Sequence, residues 1–410
     1  MADLGKCRYC GTELKYTFAD LGMSPLSNAY VTATHSMERF FPLHAYVCHN
    51  CFLVQLHEYE SPEEIFSEYA YFSSYSESWL HHAKAYVDRI VHRQGLTEES
   101  FVLEIASNDG YLLQYFLEKS IPVLGVEPAK NVAKMAINKG IPTVTAFFNL
   151  YLAEDLCKQE HEADLVIANN VFAHVPDIHD FIKGIHRILK KKGIATLEFP
   201  SLLNLIRFNQ FDTIYHEHFS YLSFTVASQM LRSHGLKVFD VEELPTHGGS
   251  LRVYVCKHEC MDYPISSNVQ YVLHKENEYG LNRIDPYLAF SDSIRGIKRK
   301  ILKTLIAIKE QGKSIIAYGA AAKGNTLLNY CGIREDFLDY IVDISPHKQG
   351  KYLPGTHLFI QAPERIEETK PDYILILPWN IKDEIIAQLR YTKEWGCQFI
   401  VPIPEIEVIP

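Results

Sequence analysis

No run in this chain comes near the roughly 20 consecutive apolar residues that a membrane helix requires. The opening Met-Ala-Asp-Leu-Gly-Lys-Cys also lacks the basic and then apolar pattern of a signal peptide. Both absences lead to the expectation of a cytoplasmic protein with no membrane partner. An excess of positive charge is missing too: the formal net charge of −10 gives no general attraction for nucleic acid, although a local basic pocket for a small anion stays open. Low-complexity segments and proline-rich linkers are absent, and 47% apolar with 22% charged residues is the balance of a folded globular chain. A complete G-x-G-x-x-G is lacking as well, which disfavours a nicotinamide dinucleotide. Nine cysteines are present, but four fall in two tight pairs and the rest are scattered, which in a reducing compartment indicates metal and packing rather than disulfides.

The 410 residues are enough for two or three domains at a soft prior of roughly 150 residues each. The first seventy or so are irregular, aromatic-rich and carry the paired cysteines. A helical stretch, Ser76 to Gln94, leads into alternating strands and helices. The candidate strands are Phe101 to Ile105, Pro122 to Glu127, Pro142 to Thr145 and Ala163 to Asn169, with a helix from Tyr111 to Lys119. Such alternation builds a parallel α/β sheet through right-handed crossovers. A second α/β series follows a long helix from Pro286 to Gln311, with Asp285 as its expected N-cap. Its strands are Ser314 to Gly319, Asp339 to Asp343 and Asp372 to Leu377. The division expected is a metal-stapled module over 1–75, a central α/β domain over 76–285 and a C-terminal Rossmann-like α/β domain over 286–410.

Cys7-Arg-Tyr-Cys10 and Cys48-His-Asn-Cys51 are two C-x-x-C hooks that can bring four thiolates to one tetrahedral Zn²⁺. Four protein ligands leave no open position, so the zinc is structural, supplying cohesion to a segment with little core of its own. The bland alternative is two chance pairs of free thiols. In Val102-Leu-Glu104-Ile-Ala106-Ser-Asn108-Asp-Gly110, a strand breaks into a small-residue loop opening a helix, and open α/β sheets bind cofactors at that carboxyl end. At the end of the next strand, Gly125-Val-Glu127-Pro128 places a carboxylate to accept hydrogen bonds from two ribose hydroxyls. The fourth strand ends in Asn169-Asn170-Val-Phe-Ala-His174. These pieces, in this order, resemble class I S-adenosylmethionine methyltransferases over roughly residues 80 to 240. The resemblance implies that fold for the central domain. It also implies that Glu104, Ala106, Asn108, Gly110, Glu127, Pro128, Asn169 and Asn170 hold S-adenosylmethionine, the last two over its methionyl part.

Tyr215-His216-Glu217-His218-Phe219 groups side chains that donate, accept or titrate, a poor choice for packing although a satisfied polar loop is the alternative. Together with the zinc hooks, Tyr69-Ala-Tyr71-Phe-Ser-Ser-Tyr75, Asn169 to His174 and Tyr318-Gly-Ala-Ala-Ala-Lys323-Gly-Asn325-Thr326, it makes the whole chain resemble sugar C-methyltransferases acting on thymidine diphosphate-linked 4-keto-deoxyhexoses. The C-terminal domain is then expected to help hold the sugar nucleotide. At Gly319 to Asn325, backbone N–H groups and Lys323 can face a diphosphate, unless this is only a tightly packed helix start. Asp343 can contact a ribose or base, or cap a helix. Tyr69 and Tyr71 line a sugar pocket or, among twenty-five tyrosines, merely pack. His247, in Thr246-His247-Gly-Gly, also has the option of facing the cleft.

The chemistry expected is removal of a proton α to the C4 ketone and attack of the resulting enolate carbon, C3, on the donor methyl. His218 is the expected base, with His174 the second candidate, Tyr215 donating to the enolate oxygen and Glu217 orienting. The competing readings are O- or N-methylation of a sugar nucleotide, an NAD-dependent sugar-nucleotide oxidoreductase, for which a full G-x-G-x-x-G and a convincing Tyr-x-x-x-Lys pair after the cofactor domain are wanting, and a scaffold with a degenerate methyltransferase domain. No motif encodes an oligomer, and a monomer is the default.

Overall fold

A computed structural model describes residues 5–32, 37–66, 72–75 and 77–410. In the N-terminal module β1 (Tyr16–Pro25), β2 (Phe40–Val47) and β3 (Val54–Leu56) form an antiparallel meander. One face of it is apolar, with Phe18, Leu43, Ala45 and Val54 buried.

The central sheet begins with β4 (Val102–Ile105), β5 (Val123–Val126), β6 (Thr143–Val144), β7 (Ala163–Asn169) and β8 (Leu189–Pro200), all parallel to one another. β4 and β5 are buried at every residue, because helices cover both faces and an uninterrupted apolar run is what such a strand needs. The chain then makes β9 (Ser220–Tyr221), which leaves this sheet and pairs with β3 of the module. β10 (Leu236–Leu244) and β11 (Ser250–Lys257) complete the seven-stranded order β10-β11-β8-β7-β4-β5-β6, with β11 antiparallel to both neighbours. This is the class I methyltransferase architecture, and it puts the carboxyl ends of β4, β5 and β7 side by side.

The C-terminal sheet comprises β12 (Ile315–Tyr318), β13 (Ile341–Val342), β14 (Ile360–Gln361), β15 (Tyr373–Ile376), β16 (Gln398–Val401) and β17 (Glu407–Ile409), in the order β14-β13-β12-β15-β16-β17. Only β17 runs antiparallel. The helix before it spans Asp285–Glu310. Asp285 is its first residue rather than its cap; Ile284 occupies the cap position and makes no side-chain capping bond. The helix expected from Tyr111 to Lys119 is shorter, Leu113–Leu117.

The N-terminal module has more core than its composition suggests. Tyr287, Phe290, Ile294, Ile297, Ile301, Leu305 and Ile308 form one buried stripe of the long helix. That stripe belongs to a single apolar cluster running from Phe18 and Leu43 of the module, through Leu205 and Phe211, to Ile315 and Leu328. Phe18 and Phe290 stack with ring centroids 4.6 Å apart. Among the described residues no helix is long and apolar enough to cross a membrane.

Candidate active site

After Ile105 the chain turns sharply, with Ala106, Asn108 and Gly110 all at positive φ (55°, 50° and 77°). For the two non-glycine residues this costs energy that neighbouring contacts must offset. Glu127, at the end of β5, supplies such contacts: its two carboxylate oxygens accept the backbone N–H groups of Asn108 (2.9 Å) and Ala129 (2.8 Å). Gly125 has to be glycine, since a Cβ there would lie 2.4 Å from Ser107 Oγ. Asn108 Oδ1 accepts the backbone N–H of Ser73 at 2.9 Å.

The loop forms one wall of a cleft of about 630 Å³ that residues of all three parts of the chain surround. Ala106, Asn108, Glu127, Pro128, Asn169 and Asn170 line it. Asn169 Oδ1 and Asn170 Oδ1 are buried there without a partner among the described residues, acceptors left for a ligand. Two of the residues expected to hold the cofactor do not line this cleft. Glu104 is 1% exposed and off the cleft wall, its carboxyl raised well above the ordinary range by burial and then by Glu127 and Asp109. Gly110 lies under the loop, where a Cβ would strike Ile141 at 2.1 Å. Both shape the loop from behind.

Opposite the loop, the cleft is lined by His174, Tyr215, Glu217 and His218. His218 Nδ1 donates to the carbonyl of Thr213 (2.9 Å), and His174 Nδ1 donates to the carbonyl of Glu217 (2.7 Å). A carbonyl can only accept, so in each ring Nδ1 carries the proton and Nε2 keeps its lone pair. The two rings lie 4.7 Å apart, and the Tyr215 ring is 4.1 Å from His218. Burial pushes His174 down to about 4, and burial holds His218 well below its usual value, since two neighbouring rings also resist being protonated together. Both imidazoles are therefore neutral proton acceptors at pH 7. Glu217 Oε1 accepts Asn28 Nδ2 at 2.6 Å, tying this loop to the N-terminal module. His216 is different. It is off the cleft wall, near Phe41 (5.9 Å) and Tyr59 (6.3 Å), in a turn closed by the His218 N–H donating to the Tyr215 carbonyl at 2.9 Å.

On the C-terminal side Lys323 lines the cleft, its Nζ donating to Asn380 Oδ1 at 2.8 Å and lying 4.9 Å from the Trp379 ring centre. Trp379 Nε1 donates to Asp212 Oδ2 at 2.6 Å. Burial lowers Lys323 to about 8 and raises Asp212 to about 6, each partly countered by the other's charge. Asn325 is fully buried, its Oδ1 accepting from Asn329, and it does not reach the cleft. Asp343 is also off the wall. Its oxygens accept from the amides of Ala320 and Ser345 and from Lys348, so it braces two loops. Tyr69 and Tyr71 lie outside the described residues.

Sequence reasoning missed Asn28, Phe66, Trp79, Lys348 and Asn380, all of which line the cleft. Asn380 had a usable signal, since it follows the carboxyl end of β15, where open α/β sheets place ligands. Asn28 and Trp79 had none. His247 does line the cleft, at a φ of 54° and 5.2 Å from Trp79.

The four hook cysteines form a separate centre, all ligand atoms lying within 4.8 Å of one another. Cys7 and Cys51 sulfurs are 3.6 Å apart and those of Cys10 and Cys48 3.5 Å, close to the ~3.8 Å edge of a tetrahedron with ~2.3 Å Zn–S bonds. The hooks repeat one backbone pattern. Gly11 and Phe52 donate to the carbonyls of Cys7 and Cys48 at 2.9 Å each, and both adopt positive φ. The donor set fits Zn²⁺, and Gln55 Nε2 supports it by donating to Cys7 Sγ at 3.2 Å.

Three family profiles match successive parts of the chain. These are "Putative zinc binding domain" over residues 7–66, "Methyltransferase domain" over residues 79–241 and "C-methyltransferase C-terminal domain" over residues 245–404. The C-methyltransferase NovU of Streptomyces niveus is 35% identical over 408 residues, covering 99% of this chain and 97% of that protein. Among solved structures, the YcgJ protein of Bacillus subtilis is 14% identical, with a TM-score of 0.36 over 44% of this chain and 100% of its own. Magnesium protoporphyrin IX methyltransferase of Synechocystis, solved with bound S-adenosylmethionine, is 14% identical, with a TM-score of 0.33 over 43% of this chain and 79% of its own.

Proposed function

The chain belongs to the S-adenosylmethionine-dependent C-methyltransferases of which NovU is a member, and from that membership we propose that it methylates C3 of a thymidine diphosphate-linked 4-keto-deoxyhexose, with His218 as general base. S-adenosylmethionine, when bound, supplies an electrophilic methyl on sulfonium. Glu127, Asn108, Pro128, Asn169 and Asn170 are the residues that would hold it.

An unactivated sugar C–H is too weakly acidic to give a carbon nucleophile, whereas a hydrogen beside a ketone yields an enolate. The observation that carries this reading is the neutral His218, its Nδ1 fixed on Thr213 so that Nε2 is the only lone pair the ring can use. Tyr215, its ring tilted against His218 at 4.1 Å, is the donor for the enolate oxygen, Glu217 orients the acceptor, and His174 is the alternative base. The Ala321–Ala322 backbone and Lys348, which line the cleft on its C-terminal side, would meet the diphosphate. A monomer working in the cytoplasm suffices for this chemistry.

The test uses thymidine diphosphate-4-keto-6-deoxyglucose in heavy water. With S-adenosylmethionine, the product should gain one methyl. With S-adenosylhomocysteine instead, the recovered sugar should carry deuterium at C3. Methylation without any exchange at C3, or methyl found on oxygen, would remove the enolate reading.

A further inference from the structure

Lys323 is a charged group inside the reaction cleft for which the base and its tyrosine leave no role. Its position is built with care. The short turn Phe211–Thr213 presents two consecutive residues to two different partners: Thr213 offers the carbonyl that fixes His218, and Asp212 anchors Trp379, on whose face Lys323 rests. Asn380 accepts from the Nζ at 2.8 Å. Gly248, next to His247, is closed against the same indole, since a Cβ there would lie 2.5 Å from the Trp379 ring. One rigid assembly therefore fixes the imidazole of His218 and the ammonium of Lys323 relative to each other, with both lining the same cleft. A lysine serving only a diphosphate would gain nothing from being locked to the base. The position of the cation is felt electrically at the base too, since its charge disfavours protonation of both His218 and His247.

We propose that Lys323 is a catalytic residue that takes the negative charge developing on O4 of the acceptor while His218 removes the proton from C3. This rests on the enolate reading above. In that step the C3–H bonding pair becomes the C3–C4 π bond, the carbonyl π pair moves onto O4, and the proton goes to Nε2 of His218. The ammonium of Lys323 donates a hydrogen bond to O4 beside the Tyr215 hydroxyl, so the ion pair formed from two neutral partners is compensated where its negative end lies. When C3 takes the methyl, the carbonyl re-forms, the donor sulfur keeps the electron pair of the bond it loses, and His218 releases its proton to solvent. Asp212 and Asn380 act through Lys323 as positioning residues.

Hydrogen exchange at C3 isolates this step from methyl transfer. The full-length zinc-loaded enzyme, saturated with S-adenosylhomocysteine and thymidine diphosphate-4-keto-6-deoxyglucose, is followed in heavy water, and thymidine diphosphate alone is titrated calorimetrically. Lys323→Met should slow exchange at saturation by about 10²- to 10³-fold, the loss typical of one removed oxyanion donor, while thymidine diphosphate affinity stays within about threefold. Asn380→Leu, which keeps the charge but frees its position, should slow exchange by about tenfold with the same nucleotide affinity. If Lys323→Met exchanges at near wild-type rate, or if it loses nucleotide affinity tenfold or more, the assignment is overturned and the lysine is a diphosphate ligand. Absence of exchange in the wild-type enzyme is a separate result that removes the enolate reading itself.

Discussion

Burial lifts the Glu127 carboxyl to about 7 even though the N–H groups of Ala129 and Asn108 pull it down. If its oxygens also accept ribose hydroxyls, the ionised form is the one that binds, and protonation competes with the cofactor. Affinity for S-adenosylmethionine should then weaken as pH falls through 7, by about tenfold between pH 8 and pH 6. Calorimetry over that range checks this, and Glu127→Gln should bind weakly with no pH dependence; a flat wild-type profile would exclude the role. His218 makes the opposite kind of residue-scale prediction. Its low pKa keeps it neutral through the physiological range, so His218→Ala should lose roughly 10²- to 10⁴-fold in turnover with cofactor affinity unchanged, and near-normal turnover would pass the base role to His174. At this scale the sequence was legible where chemistry is local. Tyr215, Glu217 and His218 stand together in the chain and line the same cleft, and so do Asn169 and Asn170. It was not legible for Glu104 and Asn325, because adjacency to a loop does not say which face of a strand or helix the side chain takes.

At the scale of elements, the zinc hooks were legible because each is complete within four residues, whereas β9 was invisible because a two-residue strand carries no periodicity. Yet β9 gives the zinc module its part in the site. Gln55 in β3 donates to Cys7 Sγ and lies opposite Ser220 in β9, two residues after His218. Leu56 N–H donates to the carbonyl of Phe219 at 3.0 Å, and Arg8, between the first pair of cysteines, lies 5.4 Å from the Phe219 ring. A metal held by the hooks would thus stiffen the edge from which the loop of residues 215–218 hangs, while the loop after β4 belongs to the central sheet. Stripping zinc with a chelator should therefore cut turnover by tenfold or more and lower hydrogen-exchange protection over residues 54–56 and 219–221. S-adenosylmethionine affinity should change by less than about threefold. Unaltered protection at 219–221 in metal-free protein, with the loss of zinc verified by metal analysis, would disconnect the two.

For the whole molecule, the order of strands and helices could be read from the chain because each βαβ step is a local pattern, but the way the three parts meet could not. The stripe Tyr287 to Ile308 says that a helix buries one face without saying against what. The answer is the sheet of the N-terminal module, through Phe18 and Phe290, so the segment that looked short of core shares one with the C-terminal domain. The cleft depends on that union, since Asn28 of the module and Lys323 of the C-terminal domain stand on the same cavity, and Tyr30 OH donates to the Ala320 carbonyl at 2.6 Å. A core that is continuous between the module and the C-terminal domain should melt with both together. Phe290→Ala, which removes a fully packed ring from the junction, should cost about 3–5 kcal/mol and lower the melting temperature, with zinc release and loss of C-terminal structure remaining coincident. Differential scanning calorimetry alongside a zinc-binding dye reads both events in one experiment. Zinc retained well past the unfolding of the C-terminal sheet would show that the module holds itself together and that the shared core contributes little to it.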